Sequence, residues 1–204
     1  MTSSSYSKVG GKVSWKGSEM NWREEGLHIF TSEELEEIDA ALRHLKGLGE
    51  LDLPDILPET FPLARTATLL ARIGHDLRHG RGFALLRGLP RETYTADDMA
   101  RIYFGIGSYL GRPLYQSYQG ELLGHVMDHS DLEEKPRAYH SGGKLGMHTD
   151  SCDIVALMCL RTARSGGASR IASAAAVHDA LIDNGAEHIA PLYRGFYYRR
   201  TDLD

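Results

Sequence analysis

Cysteine is scarce in this chain: two in 204 residues, Cys152 and Cys159. Both sit on one apolar run, and an extended strand rises about 3.3 Å per residue, so the two thiols stand too far apart to bridge. A disulfide framework is thereby excluded. No apolar run approaches the roughly 20 residues that a membrane-spanning helix needs. There is no basic excess either: 23 Lys and Arg stand against 28 Asp and Glu, a net charge of −5. That balance gives no electrostatic footprint for nucleic acid or an anionic membrane surface. The first residues, MTSSSYSKVGGK, lack the apolar core of a signal peptide. Reduced thiols without an export signal point to the cytoplasm. Internal repeats are also lacking.

What is present is the composition of a globular protein, 42% hydrophobic and 25% charged. The length suits one domain with a sizeable core. Residues 1–18, rich in Ser, Gly and Lys, read as a flexible start, and 19–204 as a single domain. Thr31 with Glu34 forms a capping box ahead of an apolar stripe of Leu35, Ile38, Leu42 and Leu45, which ends at Gly47 and Gly49. Pro54, Pro58 and Pro62 mark a loop. Leu63, Leu70, Ile73 and Leu77 repeat at helical spacing and predict a second helix over about 63–79. GFALLRGLP, short and apolar between Gly82 and Gly88, predicts a buried strand. Thr95 with Asp98 opens a third helix, with Met99, Ile102, Tyr103, Ile106 and Leu110 facing inward.

Residues 112–150 read as short strands and loops, DIVALMCLRTA as a strand, and GGASRIAS as a tight turn into another. SAAAVHDALIDNG predicts a helix capped by Ser173 and stopped by Gly185. Helices first and strands later favour an α+β layout over a doubly wound sheet.

The chemistry-bearing stretch is LGMHTDSCDIVALMCL. Its His148 and Asp150 stand at i and i+2 beside the predicted strand, a spacing that turns both side chains to one side. Imidazole and carboxylate are two parts of the 2-His-1-carboxylate set that holds non-haem Fe(II) with open positions. A strand-end pair hydrogen-bonded to the backbone explains the same residues equally well. Chance alone yields about 0.7 such triplets at this composition. The sequence holds a second, His129 and Asp131, followed by Glu133, Glu134, Lys135 and Pro136, a solvated turn that serves as a control. Cys152 extends the first triplet to H-x-D-x-C, but a zinc site would need a fourth ligand and none is evident.

Ser169, in GGAS, follows Asp150 at a distance of 19 residues. The order GRGFALLRGLP, QSYQGELLGHVMD, GMHTDSCDIVALMCL and GGASRIASAAAVHDAL resembles the TauD/TfdA-like, or clavaminate synthase-like, dioxygenases from about residue 60 onward. The resemblance implies an enzyme: an oxidoreductase that couples oxidative decarboxylation of 2-oxoglutarate to hydroxylation or desaturation of a small organic substrate. It implies Fe(II), 2-oxoglutarate and O2, with His148 and Asp150 as metal ligands and Ser169 on the 2-oxoglutarate carboxylate. No catalytic side chain beyond the metal ligands is implied. The implied partners are a small-molecule substrate, with neither nucleic acid nor membrane, and a homo-oligomer is compatible.

The implied fold is a double-stranded β-helix, or jelly roll, with flanking helices, incomplete at the C-terminus. The family's distal iron-binding His and the Arg for the far carboxylate of 2-oxoglutarate have no match. His178 reads as a helix-face residue, His188 stands near a loop, and Arg199 and Arg200 come too early. A second function class therefore stands beside the enzyme: an inactive homologue serving as a binding or interaction module. Gln116 and Tyr118, ahead of the HxD, read as turn or buried residues before substrate-facing ones.

Overall fold

The apolar stripes predict three packed helices, and the computed structural model, which describes residues 6–116, 120–127 and 145–197, contains them. A short helix α1 (Trp22–Glu25) leads into strand β1 (Leu27–Ile29), helix α2 (Ser32–Gly47) and helix α3 (Thr66–His79). Strand β2 (Leu85–Arg87), helix α4 (Ala96–Ser108), and the C-terminal helices α5 (Ala174–Asn184) and α6 (Ala186–Tyr193) follow. The strands pair in parallel, with Leu27 opposite Leu85 and Ile29 opposite Arg87. Two helices lie between them in sequence, the long crossover that parallel pairing requires.

Helix starts follow from local hydrogen bonds. Thr31 Oγ1 accepts from Glu34 N at 3.3 Å while the Glu34 carboxylate accepts from Thr31 N at 2.9 Å. Thr95 and Asp98 repeat the arrangement on α4. Helix α3 is different. It starts at Thr66, three residues later than its apolar spacing predicts, and its first turn is capped from outside. Glu37 on α2 accepts from Arg65 N and Thr66 N, each at 2.7 Å, and from Thr66 Oγ1 at 2.5 Å. A carboxylate there satisfies orphan N–H groups and suits the positive end of the helix dipole.

The core lies where α2, α3 and α4 meet. Ile38, Leu42 and Leu45 of α2, Leu69, Leu70 and Ile73 of α3, and Met99, Ile102 and Ile106 of α4 are buried together, with Phe30, Ile56, Phe61 and Leu63 from the connections. Each such side chain contributes about 1.5–3 kcal/mol by leaving water. Gly105 lets α4 approach Phe61 closely: a Cβ there would overlap the Phe61 ring. Tyr109 OH accepts from Leu63 N at 2.8 Å and donates to Phe61 O at 3.0 Å, tying that loop to the end of α4.

Two readings of the sequence need correction. DIVALMCLRTA is not assigned as a strand, and neither is the run after GGAS; β1 and β2 are the strands among the described residues. A strand exists only through its ladder, and the described residues offer this segment no partner strand. Its apolar alternation survives nonetheless. Met158 and Leu160 pack against the helical core, whereas Cys159 between them is exposed and Leu157 just before them is 75% exposed. The second correction concerns His188, which lies inside α6 rather than beside a loop. Pro191 within that helix hid it from a pattern reading, and packing against α5 supports it.

Composition reads the first residues as a flexible start; in the structure residues 6–15 have named partners. Val9 N and Gly10 N donate to the Asp179 carboxylate at 2.7 and 3.0 Å, and Ser173 Oγ donates to Val13 O at 2.5 Å. Trp15 Nε1 donates to Arg81 O at 2.7 Å. Among the described residues no helix is long and apolar enough to cross a membrane.

Candidate metal and cosubstrate site

The segment carrying His148 and Asp150 is held from its downstream side. Tyr103 OH, on α4, donates to Ala156 O at 2.7 Å, and Met158 and Leu160 seat the chain on the core. Six residues upstream of Ala156, at Asp150, the chain is irregular and exposed. His148 has one defined partner: its Nδ1 lies 2.8 Å from Gly146 O. A carbonyl oxygen only accepts, so Nδ1 carries the proton and Nε2 keeps its lone pair. An imidazole whose second nitrogen is anchored to a backbone carbonyl is the form that ligates a metal. Asp150, two residues on, is exposed and supplies a carboxylate. The donor set, one oriented imidazole and one carboxylate, fits two of the three protein positions of a facial Fe(II) site.

Among the described residues no hydrogen bond or ion pair joins His148 to Asp150, and no group of three or more His, Cys, Asp or Glu side chains stands together for a metal. His178, on α5, is engaged elsewhere: Nε2 lies 2.8 Å from Tyr193 OH and Nδ1 lies 3.3 Å from Asp179 Oδ1. His188 is exposed, 3.8 Å from the Glu187 carboxylate. Cys152 and Cys159 are free and exposed, each with its thiol toward a carbonyl two residues on.

The GGAS turn has a physical reason for its glycines. Gly166 and Gly167 adopt φ of 72° and 70°, the left-handed region that costs glycine least, and a Cβ on Gly167 would stand 2.9 Å from Ala163 Cβ. The turn delivers Ser169, exposed, five residues before the start of α5. Gln116 is a turn residue: its N donates to Glu121 O at 2.6 Å and its Nε2 to Leu114 O at 2.8 Å. Tyr118, the control pair His129 and Asp131, Arg199 and Arg200 lie outside the described residues. Two cavities occur elsewhere, of about 490 Å³ beside the start of α4 and about 290 Å³ between α5 and α6, and none of His148, Asp150 or Ser169 lines either.

Sequence reasoning missed Glu37 and Asp179, the two carboxylates that organise helix starts and the N-terminal segment. Neither carries a local signal, because their backbone donors are 28 or more residues away.

Comparison with known proteins adds family evidence. The family model described as taurine catabolism dioxygenase TauD, TfdA family matches residues 46–203, which include His148, Asp150 and Ser169. FR-33289 synthase of Streptomyces rubellomurinus is 28% identical over 193 residues, covering 93% of this chain and 57% of that protein. A taurine hydroxylase-like protein of Stachybotrys chartarum is 29% identical over 196 residues, covering 91% of this chain and 50% of that protein. The chain thus spans about half the length of the curated relatives it matches.

Proposed function

The chain belongs to the TauD/TfdA dioxygenase family, and from that premise we propose that the protein is an Fe(II)- and 2-oxoglutarate-dependent oxygenase that hydroxylates or desaturates a small organic molecule. His148 and Asp150 hold the iron, and Ser169 binds a 2-oxoglutarate carboxylate. The observation that carries the reading is the His148 ring, turned by its Gly146 contact so that Nε2 is left for a metal.

Fe(II), when bound, supplies activation of oxygen coupled to oxidative decarboxylation of 2-oxoglutarate. The chain's own contribution is to hold and orient. Gly146 fixes the His148 tautomer, and Asp150 offsets one of the two positive charges of the ion. The Ser169 hydroxyl is a donor suited to a carboxylate oxygen, and the Gly166–Gly167 turn sets where it stands. Tyr103 and the Met158–Leu160 contacts anchor the segment that bears the ligands to α4. The jelly-roll core, the cytoplasmic location and the third ligand belong to the same proposal. The named relatives suggest a small organic acid, a sulfonate among them, as the substrate class.

The test is succinate release in the presence of Fe(II), 2-oxoglutarate, oxygen and candidate acids. Turnover that is lost in His148→Ala supports the enzyme. With His148 and Asp150 proposed as two iron donors, turnover should fall in Asp150→Ala as it does in His148→Ala. No turnover with any candidate acid, with 2-oxoglutarate still bound, would favour a binding module.

A further inference from the structure

A second histidine pair stands on the opposite kind of scaffold, a rigid helix. His75 and His79 are four residues apart on α3, so both project from one face, and both are exposed. Their ring centroids are 5.0 Å apart with the planes inclined at 54°. An ion at about 2.0–2.1 Å from one nitrogen of each ring, with roughly a right to tetrahedral angle between the two bonds, sets the centroids about 4.5–5.2 Å apart. The observed separation falls inside that window, so an ion needs no movement of the helix.

His75 carries a further feature of ligating imidazoles. Its Nδ1 lies 3.6 Å from Asp76 Oδ1, so a carboxylate stands beside the pair, the kind of neighbour that orients a ligating imidazole. One cation of the helix, Arg78, is turned toward Gly74. Its guanidinium would lie 3.6 Å from a Cβ on Gly74, one turn back along the helix.

From this geometry we propose that His75 and His79 form a surface site for a borderline divalent transition-metal ion, Zn(II), Ni(II) or Cu(II), with water completing the coordination. Two neutral imidazoles on a helix favour these ions over Fe(II) or Mn(II), which stand lower in the Irving–Williams order. The site is thus chemically distinct from the imidazole–carboxylate pair at His148 and Asp150. An ion held across one turn of α3 also braces the helix, because it binds the folded form and not the unfolded chain.

Calorimetric titration of the tag-free protein with Zn(II) tests this. The wild type is expected to bind, and His79→Gln and His75→Gln are each expected to weaken binding at least about tenfold, since either removes one of two protein ligands. Both positions are exposed, so the fold should persist, and circular dichroism checks it. The His148→Ala/Asp150→Ala double variant should keep this binding, which separates the result from the fate of the iron site. Zn(II) should raise the wild-type unfolding temperature and leave that of His79→Gln unmoved. No Zn(II) binding by the wild type, or binding unchanged in both glutamine variants, would overturn the proposal.

Discussion

Ser14 Oγ donates to Asp179 Oδ2 at 2.7 Å, joining residues 165 positions apart. The same carboxylate accepts from Val9 N and Gly10 N, and beside it Lys8 pairs with Asp183 at 2.5 Å and the Tyr6 ring lies 4.7 Å from that of Tyr193. The N-terminal segment is therefore a clasp on α5 and α6, with Asp179 at its centre.

The hydrogen bond from Ser14, with those from Gly10, Val9 and His178, outweighs burial and holds the Asp179 carboxyl well below the ordinary aspartate range. A depressed folded-state value means the contribution is complete above the unfolded value and is lost as pH falls below about 4. Asp179→Asn should lower the urea midpoint at pH 7 and flatten its decline in acid. A variant as stable as wild type at neutral pH would show that the clasp contributes nothing.

Gly105 sits on α4 where a Cβ would overlap the Phe61 ring, and Phe61 is fully buried. Alanine gains about 1 kcal/mol in helix propensity, but overpacking a core costs about 1–3 kcal/mol. Because Phe61 has no room to give, Gly105→Ala should destabilise, and Phe61→Leu in that background should recover part of the loss. Denaturant unfolding of the two single variants and the double variant measures the coupling.

These contacts mark what the sequence could reveal. The starts of α2, α4 and α5 were legible because their signals are local: Thr31 with Glu34, Thr95 with Asp98, and Ser173, whose Oγ accepts from Ala176 N at 2.9 Å. The external cap of α3 by Glu37 was not, because nothing in residues 63–66 announces it. Strand β1 has three residues and depends on β2 for its existence, so it has no period of its own. At the candidate site, the residue types and their spacing were legible, as was the glycine turn before Ser169. What fixes the His148 ring, a backbone carbonyl two residues back, leaves no trace in residue type.

Ser169 tests the cosubstrate half of the proposal. A hydrogen bond to a charged group is worth about 1.5–3 kcal/mol, less where water competes, so Ser169→Ala should weaken 2-oxoglutarate binding by about 1–2 kcal/mol. Ser169→Thr should retain it, since the hydroxyl remains. Isothermal titration with 2-oxoglutarate in the presence of metal reads both, and an unchanged affinity in Ser169→Ala would remove this residue from the site.

The most direct measurement is anaerobic titration of Fe(II), with 2-oxoglutarate present, in a His79→Gln background that silences the helix pair. His148→Ala and Asp150→Ala are each expected to weaken Fe(II) binding at least about tenfold, because each removes a protein ligand. The control His129→Ala should leave it unchanged. Fe(II) affinity untouched by both His148→Ala and Asp150→Ala would contradict the assignment of the metal to this pair.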